Sequence, residues 1–126
     1  MLKDAQKVLN DAVNRFEYEL MDVQEISYSD DSFDIVIANL MLYHIPNRKK
    51  TIAEISRVLK PEGIFYASTF GINDMKELSD LISNYDDQIY YSLEPFAHAF
   101  GLENGEEQLS LSFEDVQMIN MKIFLK

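Results

Sequence analysis

The chain has 126 residues, 22 of them acidic and 11 basic, for a formal net charge of −11. A hydrophobic share of 47% with 26% charged residues is a globular composition, and the length suits one domain, not two. The acidic balance repels phosphate backbones and argues against nucleic acid. The absence of cysteine rules out disulfides and thiolate metal ligands, and two histidines make an all-histidine metal site implausible.

Met1 to about Asn14 reads as a helix, because Leu2, Ala5, Val8, Leu9, Ala12 and Val13 recur at spacings of three and four. Its first residues carry an acid and no apolar segment, unlike a secretory signal, and no run in the chain reaches the ~18–20 apolar residues of a membrane span. A soluble, cytoplasmic protein without a membrane partner or a metal is the expectation. Phe16 to Met21 alternates apolar and acidic residues, as a half-exposed strand does. Asp22 to Ser32 is polar, with turn chemistry in Ser29-Asp30-Asp31-Ser32.

Phe33 to Ala38 is β-branched and nearly continuous in apolar character, the pattern of a parallel strand buried on both faces. Arg48 to Leu59 follows as an amphipathic helix. Ile52, Ile55, Val58 and Leu59 form its buried stripe, and Lys49, Lys50, Glu54 and Arg57 are expected in water. Lys60-Pro61-Glu62-Gly63 reads as a turn, and Ile64 to Thr69 as the next strand. Two parallel strands with a helix between them make a right-handed βαβ unit, so the fold class is α/β.

Asn73 is expected to cap a helix running to about Asn84, with Met75, Leu78, Leu81 and Ile82 facing in. Phe96, Ala97 and Phe100 suggest a short helix after Ser92, and His98 reads as packing. Asn104 with Glu107 three residues on is a capping-box signature. Val116 to Phe124 is β-like. Asp86-Asp87 and Glu106-Glu107 read as solvated acid pairs.

Three ordered segments carry a family likeness. They are Asp31-Ser32-Phe33-Asp34-Ile35-Val36-Ile37-Ala38-Asn39, then Leu42-Tyr43-His44-Ile45-Pro46, then Glu54-Ile55-Ser56-Arg57-Val58-Leu59-Lys60-Pro61-Glu62-Gly63. Together they resemble class I S-adenosylmethionine-dependent methyltransferases, in the branch acting on small molecules. Tyr43 stands where the family often has histidine, and Glu62 where it often has glycine. The resemblance implies a partial Rossmann-like sheet, mostly parallel, with flanking helices. Residues 1–126 form a single incomplete domain on this reading, with a motif-bearing core at 1–69 and a variable acceptor-side region at 70–126.

The resemblance also implies the site. Asp22 accepts a hydrogen bond from the adenine amino group of S-adenosylmethionine, and the backbone of Val23 and Gln24 completes that edge. Asn39 and Leu40, at the carboxyl end of the buried strand, lie against the methionine part of the cofactor; the plain reading of Asn39 is a cap for the next turn. Ligands of open parallel sheets bind at that edge. His44 is the catalytic candidate, a base or an orienting group for the acceptor, and its other reading is a histidine packed over the next helix. Tyr43 reads as packing. Tyr85, Tyr90 and Tyr91 either line an acceptor pocket or pack in a core or interface.

The glycines are Gly63, Gly71, Gly101 and Gly105, so the glycine-rich cofactor turn of the family does not occur in this sequence. A family fold of about seven strands and six helices needs roughly 175 residues at ordinary element lengths. The expectation is therefore a domain truncated at its N-terminus and at its C-terminus. The implied function is methyl transfer to a small-molecule acceptor, with a non-catalytic remnant or a sheet-completing partner subunit as the alternative. An exposed edge on the Phe33 strand also invites a homo-oligomer.

Overall fold

A computed structural model describes residues 17–86 and 92–119. Its centre is the expected βαβ unit. Strand β1 spans Phe33–Asn39, helix α1 Arg48–Val58 and strand β2 Leu59–Ser68, with a 3₁₀ turn at Leu42–His44 between β1 and α1. Helices α2 (Lys76–Tyr85), α3 (Glu94–Phe100) and α4 (Gly105–Leu109) follow. Among the described residues the sheet has two strands, paired in parallel, with Val36 opposite Phe65 and Asn39 opposite Ser68. No helix among them is long and apolar enough to cross a membrane.

The sheet buries one face. Ala38, Leu42, Ile55, Leu59 and Phe100 make the core, and Val36, Phe65, Tyr43, Leu109 and Phe113 pack around it. α1 supplies Thr51, Ile52, Ile55 and Val58 to the interior, so its apolar stripe is as the spacing predicts. Asn47 caps it by accepting from the Lys50 N–H at 3.1 Å. The opposite sheet face differs from the expectation of a doubly buried strand. Ile35 is 55% exposed, Ile37 70%, Ile64 51% and Tyr66 53%. Continuous apolar character reports that both faces want cover, and here the described residues cover one.

Other expectations are corrected. Lys60 to Gly63 lies inside β2, not in a turn before it. Register slips there: Phe33 pairs with Leu59 and Ile35 with Ile64, so Asp34 alone faces the bulged segment that includes Pro61. Lys60 Nζ closes the bulge onto Asp34 at 2.7 Å and holds the Asp34 carboxyl below its ordinary range. Gly63 is required by close approach, since a Cβ there would meet Leu59 Cδ2 at 2.7 Å and the Lys60 carbonyl at 2.9 Å.

The strand expected at Phe16–Met21 does not form over residues 17–21. Its alternation suits a half-buried surface, but a strand needs a neighbour, and none of the described residues provides one. Residues 116–119 are likewise not a strand, and the rest of that segment lies outside the described residues, as do the Met1–Asn14 helix and Tyr90 and Tyr91.

α2 begins later than expected. Its cap is Met75 in the left-handed region, with no side-chain cap bond from Asn73, and it buries no residue. Its period is that of a helix, but Leu81 and Tyr85 remain exposed. α3 is the short helix expected after Ser92 and buries Ala97 and Phe100. His98 is exposed and pairs with Glu94 at 3.2 Å, so it does not pack. Asn104 precedes α4 but makes no capping box. Its side chain instead accepts from the Gly101 N–H at 3.0 Å and donates to the carbonyls of Ala97 and His98, both at 3.0 Å. The end of α3 offers several free carbonyls in one place, a better match for an amide than a single N–H. Glu106 and Glu107 are exposed, as solvated acids.

Candidate functional site

The crossover fixes where the site residues sit. α1 starts after the carboxyl end of β1 and returns to the start of β2, so its first turn lies level with the carboxyl ends of the strands and its last turn level with their beginnings. Asn39 and Leu40 close β1 at that carboxyl edge. Ser68 closes β2 opposite them, and its hydroxyl joins the two strand ends: it donates to Asn39 Oδ1 at 2.5 Å and accepts from the Leu40 N–H at 3.0 Å. Leu40 sits at φ 50°, a left-handed conformation that a bulky residue seldom adopts. Such strain persists where surrounding bonds over-determine it, and the Ser68 contact is one of these.

The loop before β1 carries Asp22, Val23 and Gln24. Asp22 Oδ1 accepts from the Gln24 N–H at 2.8 Å and from Gln24 Nε2 at 3.3 Å. These two bonds, the backbone one first, hold the Asp22 carboxyl below its ordinary value. Its second oxygen, Oδ2, has no hydrogen-bond partner among the described residues, and the residue is exposed. The turn is closed by the Glu25 N–H on the Asp22 carbonyl at 3.0 Å.

This loop runs along α1 and is bound to it at each helical turn. Lys50 Nζ reaches Glu25 Oε1 at 2.6 Å. Glu54 Oε2 accepts from the Ile26 N–H at 2.9 Å. Arg57 donates to Glu54 through Nε at 2.8 Å and Nη2 at 2.9 Å, to the Ile26 and Tyr28 carbonyls at 2.9 Å each, and to Asp30 at 2.8 Å. Every guanidinium donor has an acceptor. Arg57 pulls the Glu54 carboxyl down from 4.5 to about 2, and its own pKa is raised. The expectation of exposure holds for Lys50, but Glu54 and Arg57 are half-buried under the loop and do not stay in water. The three lie three and four residues apart on one helix face, and that face carries the loop. Since Lys50 belongs to the first turn of α1, the Asp22 turn stands at the same end of the unit as Asn39 and Leu40.

His44 ends the 3₁₀ turn at this edge and is exposed. Its ring packs on Tyr43, centroids 4.3 Å apart, and on Phe96 of α3 at 5.4 Å. Tyr43 also contacts Phe70 at 5.3 Å and Phe96 at 5.2 Å, in keeping with a packing role. The histidine thus leans on α3, not on the helix that follows it in sequence. Tyr85 points to solvent, 92% exposed.

Two elements of this site escaped the sequence reading. Ser68 was legible in principle, because a parallel register sets it beside Asn39. The Glu54–Arg57 pair was visible as a motif, but an i,i+3 pair on a polar face reads as solvated until the loop it meets is known.

Comparison with known proteins bears on the fold and the family. A family model described as a methyltransferase domain matches residues 1–67. The chain is 35% identical over 78 residues to a malonyl-[acyl-carrier protein] O-methyltransferase of Nitrosospira multiformis, a match covering 62% of this chain and 25% of that protein. It is 31% identical over 87 residues to the ubiquinone/menaquinone biosynthesis C-methyltransferase UbiE of Blochmanniella pennsylvanica, covering 68% of this chain and 34% of that one. Among solved structures, the YcgJ protein of Bacillus subtilis superposes with a TM-score of 0.61 at 20% identity, over 89% of this chain and 47% of that one, and shows the shared fold. The chain thus spans about a quarter to a third of the length of these curated relatives. With the ordered motifs, the βαβ unit and the family match over its first 67 residues in agreement, the chain belongs to the class I S-adenosylmethionine-dependent methyltransferase family.

Proposed function

We propose that the chain contributes the adenine-side and methionine-side walls of an S-adenosylmethionine site in a methyltransferase acting on a small-molecule acceptor. The single observation that carries this reading is the Asp22 turn. One carboxylate oxygen is held by Gln24, the other faces solvent, and those bonds favour the ionised form by lowering the pKa below its ordinary value. An ionised carboxylate with a free oxygen is a hydrogen-bond acceptor of the kind an adenine amino group requires. The Val23 backbone extends that edge. The Gln24 N–H is already given to Asp22, so Gln24 acts by shaping the turn.

Asn39 and Leu40 supply the second wall. Ser68 fixes their backbone, and the left-handed Leu40 turns the chain sharply at the strand end, where ligands of open parallel sheets bind. When bound, S-adenosylmethionine supplies a methyl carbon already activated by its sulfonium, so the protein's task is alignment and exclusion of water. His44, exposed at the same edge on an aromatic bed, is the residue to orient an acceptor or take its proton.

Isothermal titration of the chain with S-adenosylmethionine tests this reading. A sub-millimolar Kd supports it, and no heat at millimolar cofactor counts against it. A second reading, a subunit that completes its sheet with another chain, or with a copy of itself through the β1 edge, is favoured by one observation: among the described residues the sheet has two strands, so the outer edge of β1 has no strand beside it. Light scattering showing a strict monomer at high concentration counts against the homo-oligomer.

A further inference from the structure

We infer that Glu54 and Arg57 are positioning residues for cofactor recognition: from the C-terminal half of α1 they set the place of the Asp22 turn. The inference rests on the proposed role of Asp22.

Residues 22–32 contain no helix or strand, so their backbone groups need partners from elsewhere. α1 provides them in sequence. Ile26 is gripped at both its N–H and its carbonyl, by Glu54 and Arg57, and the Tyr28 carbonyl is held by Arg57. The loop's far end is tied by the Asp31 N–H to the Arg57 carbonyl at 3.1 Å and the Ser32 N–H to the Val58 carbonyl at 2.8 Å. These bonds satisfy carbonyls that a helix end leaves over. At the near end Lys50 holds Glu25, within the Asp22–Glu25 turn.

The strength of the grip is unequal along the loop. The Lys50–Glu25 pair joins two exposed side chains and contributes little. The Glu54–Arg57 fork is bidentate, charge-assisted and half-buried, and it meets backbone atoms that cannot swing away. Ile26, four residues after Asp22 and partly buried against the core, is therefore the fixed point from which the turn projects. Loosening Arg57 frees Ile26 and Tyr28 together and lets the Asp22 carboxylate wander from the place where it meets the adenine edge. Arg57 acts through Asp22 and touches no ligand itself. Lysine cannot replace it, because one ammonium cannot reach two carbonyls and two carboxylates at once.

A double-mutant cycle on the full chain tests this, with S-adenosylmethionine binding as the readout. Arg57→Gln is expected to weaken binding about tenfold, and Asp22→Asn by a similar factor, while the double variant is no weaker than Asp22→Asn alone within about twofold. Arg57→Lys is expected to stay impaired. In the free protein, amide exchange at Gln24, Glu25 and Ile26 speeds up in Arg57→Gln while that of β1 and β2 does not. Where Arg57→Gln does not fold, Glu54→Gln, which keeps the shape and loses the charge, carries the same comparison with an expected loss of about threefold. Wild-type affinity in Arg57→Gln, multiplicative losses in the double variant or full recovery in Arg57→Lys each overturn the inference and leave the cofactor reading standing. A wild-type chain that takes up no S-adenosylmethionine overturns that reading, and this inference with it.

Discussion

The Asp22–Ser68 region and the Lys76–Tyr85 helix are both built from amphipathic sequence, yet only the first is locked into place. The loop and α1 share hydrogen bonds between residues some 25 to 31 positions apart, and α1 buries four residues under the sheet. α2 shows an equally clear helical stripe and buries nothing. Local periodicity therefore forms a helix in both places, while position is decided by what a second element offers in return. In this molecule that return is the core on one side of α1 and the loop backbone on the other.

The contrast predicts a graded set of responses. The largest belongs to the core that joins β1, β2 and α3. Phe100 is fully buried and shares a cluster with Ala38, Leu42, Ile55 and Leu59. Phe100→Ala is expected to cost about 3–5 kcal/mol, read by urea unfolding. A loss below about 1 kcal/mol would show that α3 is not part of the same cooperative unit.

A smaller effect is expected from acid. Glu54 has its pKa lowered from 4.5 to about 2 by Arg57, so the stability it lends is complete above the ordinary value and is lost as pH falls through the folded value. Loop 22–32 should therefore loosen between about pH 4.5 and pH 2, seen as a lower protection of the Ile26 amide relative to its intrinsic exchange rate at each pH. In Glu54→Gln that part of the acid response should vanish. An Ile26 amide equally protected at both pH values would separate the loop from the Glu54–Arg57 pair.

The smallest effect belongs to α2. Leu81 is exposed on a helix that buries no residue, and Leu81→Ala is expected to shift stability by less than about 0.5 kcal/mol. A loss several times larger would mean that α2 has a covering partner, and would narrow the contrast with α1.

These differences also show what a sequence can and cannot carry. The βαβ unit was legible because its signals agree: β-branched strands, a 3.6-residue stripe on Ile52, Ile55 and Val58, and turn residues between them. The edge that holds Asn39 and Leu40 follows from parallel topology alone. The bulge at Lys60–Gly63 was not legible, since proline and glycine mark a turn and a strand irregularity alike, and only the Asp34 pairing separates them. The missing strand at residues 17–21 teaches the same lesson, because alternation states what a segment would do with a neighbour. Arg57 reads as solvated because two of its acceptors are backbone carbonyls some thirty residues away, and backbone atoms leave no mark in composition.

We propose that the Asp22 turn and the Asn39–Leu40 strand end form one cofactor edge on the βαβ unit. Titrating ¹⁵N-labelled chain with S-adenosylmethionine and following its amide signals tests it most directly. Shifts concentrated at residues 22–26, 39–41 and 68, with α2 unmoved, are expected. Saturable shifts that leave residues 22–26 and 39–41 untouched, or no shifts at millimolar cofactor, would contradict it.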